Sequence, residues 1–225
     1  LDRPAYADVA RDTLAFMQRE MLAPAGVLVA ALSAVDDNDV EGGYYLWQRE
    51  TLDKLLTRDE YRVVNDYWLG QGAARFDAGH LPMQRRDVLP AADAKLLEQA
   101  RDKLLGERRN NRALPVDDKL LAGWNGLALS AFADAARQLG DATFRQRAST
   151  IRDYLLTRLW DGEQLQRALA QGRPLGQASL ADYAYVAQGL WLHYRMTGDR
   201  AAGLPHAGDP DGPDCPDHQA GEHAR

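Results

Sequence analysis

The sequence contains an internal repeat, and the repeat limits how the chain can fold. Arg137-Gln-Leu-Gly140-Asp141 returns as Arg195-Met-Thr-Gly198-Asp199, 58 positions later. Each copy closes an apolar helical stretch with a glycine, suited to the left-handed terminator, and then an aspartate that can cap the next helix. Before the first copy, Leu127–Leu139 is dense in small residues on nearly every face, which predicts a helix buried on several sides. After it, Phe144, Ala148, Ile151, Leu155 and Leu159 step by four, three, four and four, with Arg145, Arg147, Arg152 and Arg158 between them. That is an outer helix with one apolar face. Leu159-Trp-Asp-Gly162 ends it, Gln164–Gln171 reads as extended, and Pro174 and Gly176 make a turn. Ser179 with Asp182 three residues on then signals a helix through Thr197, carrying Tyr183, Val186, Ala187, Leu190, Trp191 and Tyr194.

One unit is therefore an inner helix, a Gly-Asp turn, an outer helix and a return hairpin. A row of such units buries its inner helices only by curling into a ring or stacking as a solenoid. The expected fold is all-α, a partial (α/α)6 toroid with short β-hairpins at one rim, about half of a six-hairpin ring. The repeat offset sets Trp124 against Asp182 and Asn125 against Tyr183, so all four are expected at the rim where both inner helices begin.

The first part of the chain fits the same plan. Tyr6, Val9, Thr13, Met17 and Met21 give residues 4–22 one apolar face, and Pro24 and Gly26 stop the helix. Gly26–Ala34, the acidic turn Asp36-Asp37-Asn38-Asp39 and Gly43-Tyr-Tyr-Leu-Trp47 read as a β-hairpin or an ordered loop leading to the same rim. A short helix with Leu52, Leu55 and Leu56 follows. Thr57 and Glu60 form a capping-box signature for a helix through Trp68. Residues 70–92 look irregular, and another helix is expected over 93–109 with Leu96, Leu97, Ala100 and Leu104 on one side. The barrel domain is expected to span 1–199. From 200 to 225 the only large aliphatic is Leu204, and a segment so poor in apolar surface is expected to be a disordered or aberrant tail. Its His206, His218, His223 and Cys215 match no tetrahedral zinc spacing.

Composition removes several function classes. The net charge is −6, which argues against nucleic acid as the main partner. No run approaches a membrane span, and no secretory signal is visible. The single cysteine excludes an internal disulfide and fits a reducing compartment, so a cytoplasmic location is expected. No metal and no cofactor is expected.

The run Val116-Asp-Asp-Lys-Leu-Leu-Ala-Gly-Trp-Asn-Gly-Leu127 resembles the thioredoxin-domain-containing family that includes the spermatogenesis-associated protein 20 group, through Asp117, Asp118, Lys119, Leu121, Trp124, Asn125, Gly126 and Leu127. Gly43-Tyr-Tyr-Leu-Trp47 after its acidic residues, Leu159-Trp-Asp-Gly162, Leu180-Ala-Asp-Tyr-Ala-Tyr185 and Gln188-Gly-Leu190 are similar to further family runs in the same order. The resemblance covers 4–199. It implies a thioredoxin-like domain followed by a six-hairpin barrel similar to sugar epimerases and glycosidases, with this chain a fragment of the barrel and without the redox motif.

On that footing the expected function is a carbohydrate-active or carbohydrate-binding barrel fragment. Trp124 serves as a stacking platform, with Asn125, Tyr183, Tyr45 and Asp36 as ligand-binding groups and Asp118 and Asp182 as the acid–base pair. Several of these residues also have a plainer reading. Trp124 can be core packing, Asp182 the capping partner of Ser179, Asp117 or Asp118 a cap for the following helix, and Asp36 part of a solvated turn. Read as a calcium loop from Asp37, the acidic turn ends in Gln48 where a bidentate glutamate is needed. His193 falls about three turns inside its helix and His80 in an irregular stretch, which disfavours a histidine-based epimerase and leaves carboxylate, glycosidase-like chemistry. The alternative function is a non-catalytic scaffold that docks a thioredoxin-like domain or a peptide.

Overall fold

The computed structural model describes residues 4–70, 72–85 and 88–198. Asp199, expected to cap a further helix, and the segment 200–225 with its histidines and Cys215 lie outside the described residues. The chain divides into two compact units. One holds the residues up to Ala30 and those from Asp118 onward, and the other is Ala31–Asp117.

The first unit contains the repeat. Helix α1 (Pro4–Glu20) precedes it. Helices α5 (Ala122–Leu139) and α7 (Leu180–Thr197) are the inner pair, and α6 (Ala142–Tyr154), extended by a π turn over Leu155–Leu159, is the outer helix between them. The turn chemistry read from the repeat is present. Gly140 and Gly198 both sit in the left-handed region at the helix ends, and Asp141 accepts from the Thr143 and Phe144 amides. All five residues of the Phe144–Leu159 stripe are buried.

The inner helices run parallel. Gly123 faces Asp182, Gly126 faces Tyr185 and Val186, and Gly189 faces the Gly126 carbonyl and Leu129. A side chain at Gly126 would put its Cβ 2.6 Å from the Tyr185 backbone, so the two helices touch backbone to backbone. Helix α6 runs the other way, since Arg145 reaches the Met196 carbonyl and Ser149 reaches His193. Phe132, Leu129, Ile151, Leu155, Val186 and Leu190 fill the space between the three helices.

The second unit carries α2 (Arg49–Leu55), α3 (Arg58–Val64) with a π turn over Asn65–Leu69, and α4 (Ala91–Asn111). The Thr57–Glu60 capping box forms as the sequence predicts. Glu60 is itself buried, and its carboxylate also accepts from the Lys103 ammonium at 2.7 Å. Desolvation raises the pKa of this acid, but the bonds from Lys103 and from the Thr57 amide outweigh it, so the carboxyl sits below the usual glutamate range.

The strands are few and short. β1 (Ala31–Leu32) pairs antiparallel with β2 (Val116–Asp117). In the first unit β3 (Leu120–Leu121), β4 (Ala168–Ala170) and β5 (Arg173–Pro174) make a three-stranded antiparallel sheet. The molecule is thus mostly helical with two small antiparallel sheets. Two local expectations need correction. The segment 26–47 is not one self-paired hairpin: only its tip closes on itself, at the Val35–Glu41 bridge, while β1 takes a partner far along the chain. Neither Asp117 nor Asp118 caps α5, because the strand residues just before that helix are occupied by pairing and Leu121 stands at the cap position without a side-chain bond.

Candidate functional site

The common rim of the inner helices is built by the return hairpin. Leu120 and Leu121 pair with Leu169 and Ala168, and the Ala122 amide donates to the Arg167 carbonyl, so the hairpin lies against the start of α5. Asp161 fixes the way in: its carboxylate accepts from the Gln164 and Glu163 amides and from the Gln166 side chain, which holds it below the ordinary aspartate range. The Tyr183 hydroxyl accepts from the Leu165 amide at 2.9 Å, tying the hairpin to the first turn of α7.

The predicted residues take distinct places at this rim. Trp124 stands in the first turn of α5 and is 54% exposed, on a helix where ten of eighteen residues are buried. Its neighbour Asn125 is 1% exposed. The Asn125 amide accepts from the Leu28 N–H at 2.9 Å and donates to the Leu28 and Leu121 carbonyls at 3.0 Å each. This clamp holds the segment after α1 against α5.

Asp182 closes a capping box with Ser179, whose amide and hydroxyl donate to one carboxylate oxygen at 2.8 and 2.7 Å. The other oxygen faces Gly123, where a Cβ would come within 2.5 Å of it. Gly123 is therefore the space that lets this carboxylate sit between the two first turns. Asp118 is exposed between β2 and β3, and no described residue bonds its carboxylate. Trp124, Asp182 and Tyr183 thus share one end of a parallel helix pair, whereas Asn125 at the same end points inward.

Asp36 and Tyr45 belong to the other unit. Asp36 accepts from the Asn38 and Val40 amides at 2.9 and 3.0 Å, organising the acidic turn from within. Tyr45 packs edge-on against Tyr44 with ring centres 5.0 Å apart, and the Arg108 guanidinium lies 5.2 Å from both ring centres. Arg112 does more. It stacks 4.0 Å over the Trp47 ring and donates to the Gly43, Tyr44 and Leu46 carbonyls at 3.1, 3.1 and 2.7 Å. The sequence reading missed both arginines. The signal was present in the basic end of α4, facing a loop of three aromatics across some sixty residues of chain. Among the described residues no group of three His, Cys, Asp or Glu side chains is placed to hold a metal.

The two described histidines lie where the sequence reading put them. His193 is buried on α7 with Nε2 3.1 Å from Ser149 Oγ, and His80 is buried in the second unit.

No family model matches the chain. Curated proteins do. Spermatogenesis-associated protein 20 of Rattus norvegicus is 25% identical over 228 residues, covering 82% of this chain and 29% of its own length. The chain is similar, at low identity, to spermatogenesis-associated protein 20. The Homo sapiens protein of that name is 24% identical over 87% of this chain, and an uncharacterized protein of Caenorhabditis elegans is 23% identical over 72%. The chain spans less than a third of the length of each of these relatives. The similarity to spermatogenesis-associated protein 20 agrees with the family named from the Asp117–Leu127 run.

Proposed function

We propose that this chain is a carbohydrate-binding part of a six-hairpin (α/α) barrel of the thioredoxin-domain-containing family, with the ligand on the rim where α5 and α7 begin. One observation carries the reading: Trp124 turns an open indole face to solvent at the start of a helix whose other faces are packed. A sugar ring places its axial C–H groups on such a face, and nearby polar groups then set its orientation. Asp182 and Tyr183 stand in the first turn of the neighbouring helix at the same end, and the exposed Asp118 is the carboxylate proposed for glycosidase-like chemistry. Asn125 contributes by holding the α5 start rather than by touching ligand, since it is buried and both its N–H donors are engaged.

The test is calorimetric titration of mono- and disaccharides into the wild-type chain, Trp124→Ala and Trp124→Phe. Saturable heat that Ala abolishes and Phe partly keeps supports the reading. Equal heats in all three variants refute it.

A second reading has its own observation. Leu127 (41% exposed) and Trp191 (57% exposed) extend the apolar face of the inner helices beyond what one sugar would cover. Such a face suits docking of a protein partner, and a thioredoxin-like domain of the same family is the partner proposed. Binding of that domain with no competition from sugars would favour the scaffold.

A further inference from the structure

Several polar groups in the second unit have no part in the rim described above. His80 pairs with Trp47 through both backbone bonds, each 2.9 Å, and the residue is 9% exposed. The ring borders a cavity of about 180 Å³ lined also by Gly70, Arg75, Phe76, Met83 and Arg85. Arg85 is placed with care. Its amide donates to the Tyr67 carbonyl and its Nε to the Trp68 carbonyl, at 3.0 and 3.1 Å. Its guanidinium carbon would lie 3.2 Å from a Cβ on Gly70, whose φ of +74° itself favours glycine, so the planar group lies close over that backbone. The two terminal amino groups of Arg85, the whole guanidinium of Arg75 and the His80 ring have no hydrogen-bond partner among the described residues. Arg49 spends its own donors on Asn65 Oδ1 and on the Gly70 and Gly72 carbonyls, at 2.6, 2.8 and 3.2 Å, fixing the loop and adding a third positive charge. Against these stand Glu50, whose charge reaches His80, and the exposed Asp77 in the same loop. In a chain of net charge −6, two exposed arginines and a buried histidine line one cavity, and Arg49 bonds the backbone of two of its glycines.

We infer that this cavity is an oxyanion site for a phosphate group, held by Arg75, Arg85 and His80. The Arg75 guanidinium, the two terminal amino groups of Arg85 and the imidazole bring donors from separate directions, which suits a tetrahedral dianion better than a planar carboxylate. The site is independent of the carbohydrate reading.

Burial, then the charges of Arg49 and Arg85, hold the His80 imidazole below the ordinary histidine range. A dianion in the cavity supplies the missing attraction, and His80 takes up a proton as the anion binds. The experiment follows the histidine resonances of the full chain by NMR during titration with inorganic phosphate, with sulfate alongside because it does not itself titrate. His80→Gln assigns the signal. The expected result is a saturable shift of the His80 resonance and a rise of its pKa by about one pH unit or more. Arg75→Ala removes an exposed group with no described contact, and Arg85→Lys keeps the charge without the fork. Each should weaken binding about tenfold while circular dichroism stays unchanged. Glucose 6-phosphate separates the sources: tighter binding than inorganic phosphate marks a phosphorylated metabolite, and equal binding marks the free ion. The inference is overturned if no saturable shift occurs below about 10 mM phosphate, the weak end of specific affinity, or if both arginine variants bind like wild type.

Discussion

Replacing Asn125 with alanine should cost far more than the loss of one polar side chain usually does. The amide satisfies three backbone groups at once: the Leu28 N–H, the Leu28 carbonyl and the Leu121 carbonyl. The flanking Val27, Leu28 and Val29 are buried, so water cannot take over without opening the segment. A buried group left without a partner costs about 1–3 kcal/mol, the N–H more than a carbonyl that keeps a second lone pair. Adding the small cavity gives a loss of about 3–5 kcal/mol, a large share of the roughly 5–15 kcal/mol that holds a domain together. Urea unfolding followed by circular dichroism reads this as a drop in midpoint at unchanged slope. Asn125→Asp sharpens the test. It keeps an acceptor for the Leu28 amide but turns acceptors toward two carbonyls, and burial among them raises the carboxyl pKa above its unfolded value. Its stability should therefore lie at or below that of the alanine variant at pH 7 and recover as the pH falls and the acid protonates. A loss below about 1 kcal/mol for Asn125→Ala, within the range of a single ordinary hydrogen bond, would refute the clamp.

Other expectations follow from the same geometry. Gly126→Ala drives a methyl into the Tyr185 backbone and should destabilise by about 1–3 kcal/mol despite alanine's better helix propensity, read as a lowered thermal midpoint. Gly106→Ala is the contrasting case: it lies inside α4 with nothing within 4 Å of its added Cβ, and it should stabilise by about 0.5–1 kcal/mol. Because the Glu60 pKa is lower in the folded chain, its contribution is present above the unfolded glutamate pKa and lost as pH falls through the folded value. Glu60→Gln should therefore unfold at a lower urea midpoint at pH 7 and lose less stability than wild type between about pH 5 and pH 3.

Most of the helical frame was legible in the sequence because it is written in local chemistry. The Gly140 and Gly198 terminators, the Ser179–Asp182 and Thr57–Glu60 boxes and the apolar stripe from Phe144 to Leu159 each specify their own neighbourhood. The parallel placement of α5 and α7 followed from the repeat, and Gly126 and Gly189 are the contact that makes it possible. What stayed hidden depends on distant partners. Nothing local tells Ala31–Leu32 that its strand partner is Val116–Asp117, and that pairing is also why the aspartates there are not helix caps. Asn125 illustrates the limit at the site itself. An asparagine beside an exposed tryptophan suits a ligand by residue type, but the neighbouring position on a helix points about 100° away, toward Leu28. The Arg108 and Arg112 contacts with the aromatic loop, and the Arg85 placement over Gly70, were invisible for the same reason.

The central claim is that the open indole of Trp124 receives a sugar ring, and a crystal of the chain soaked with glucose or a disaccharide tests it most directly. The account predicts ordered sugar density stacked on the Trp124 face, with hydroxyls within hydrogen-bonding distance of Asp182 or Tyr183. An empty Trp124 face in a well-ordered crystal at high sugar concentration, or sugar bound only elsewhere, would contradict it.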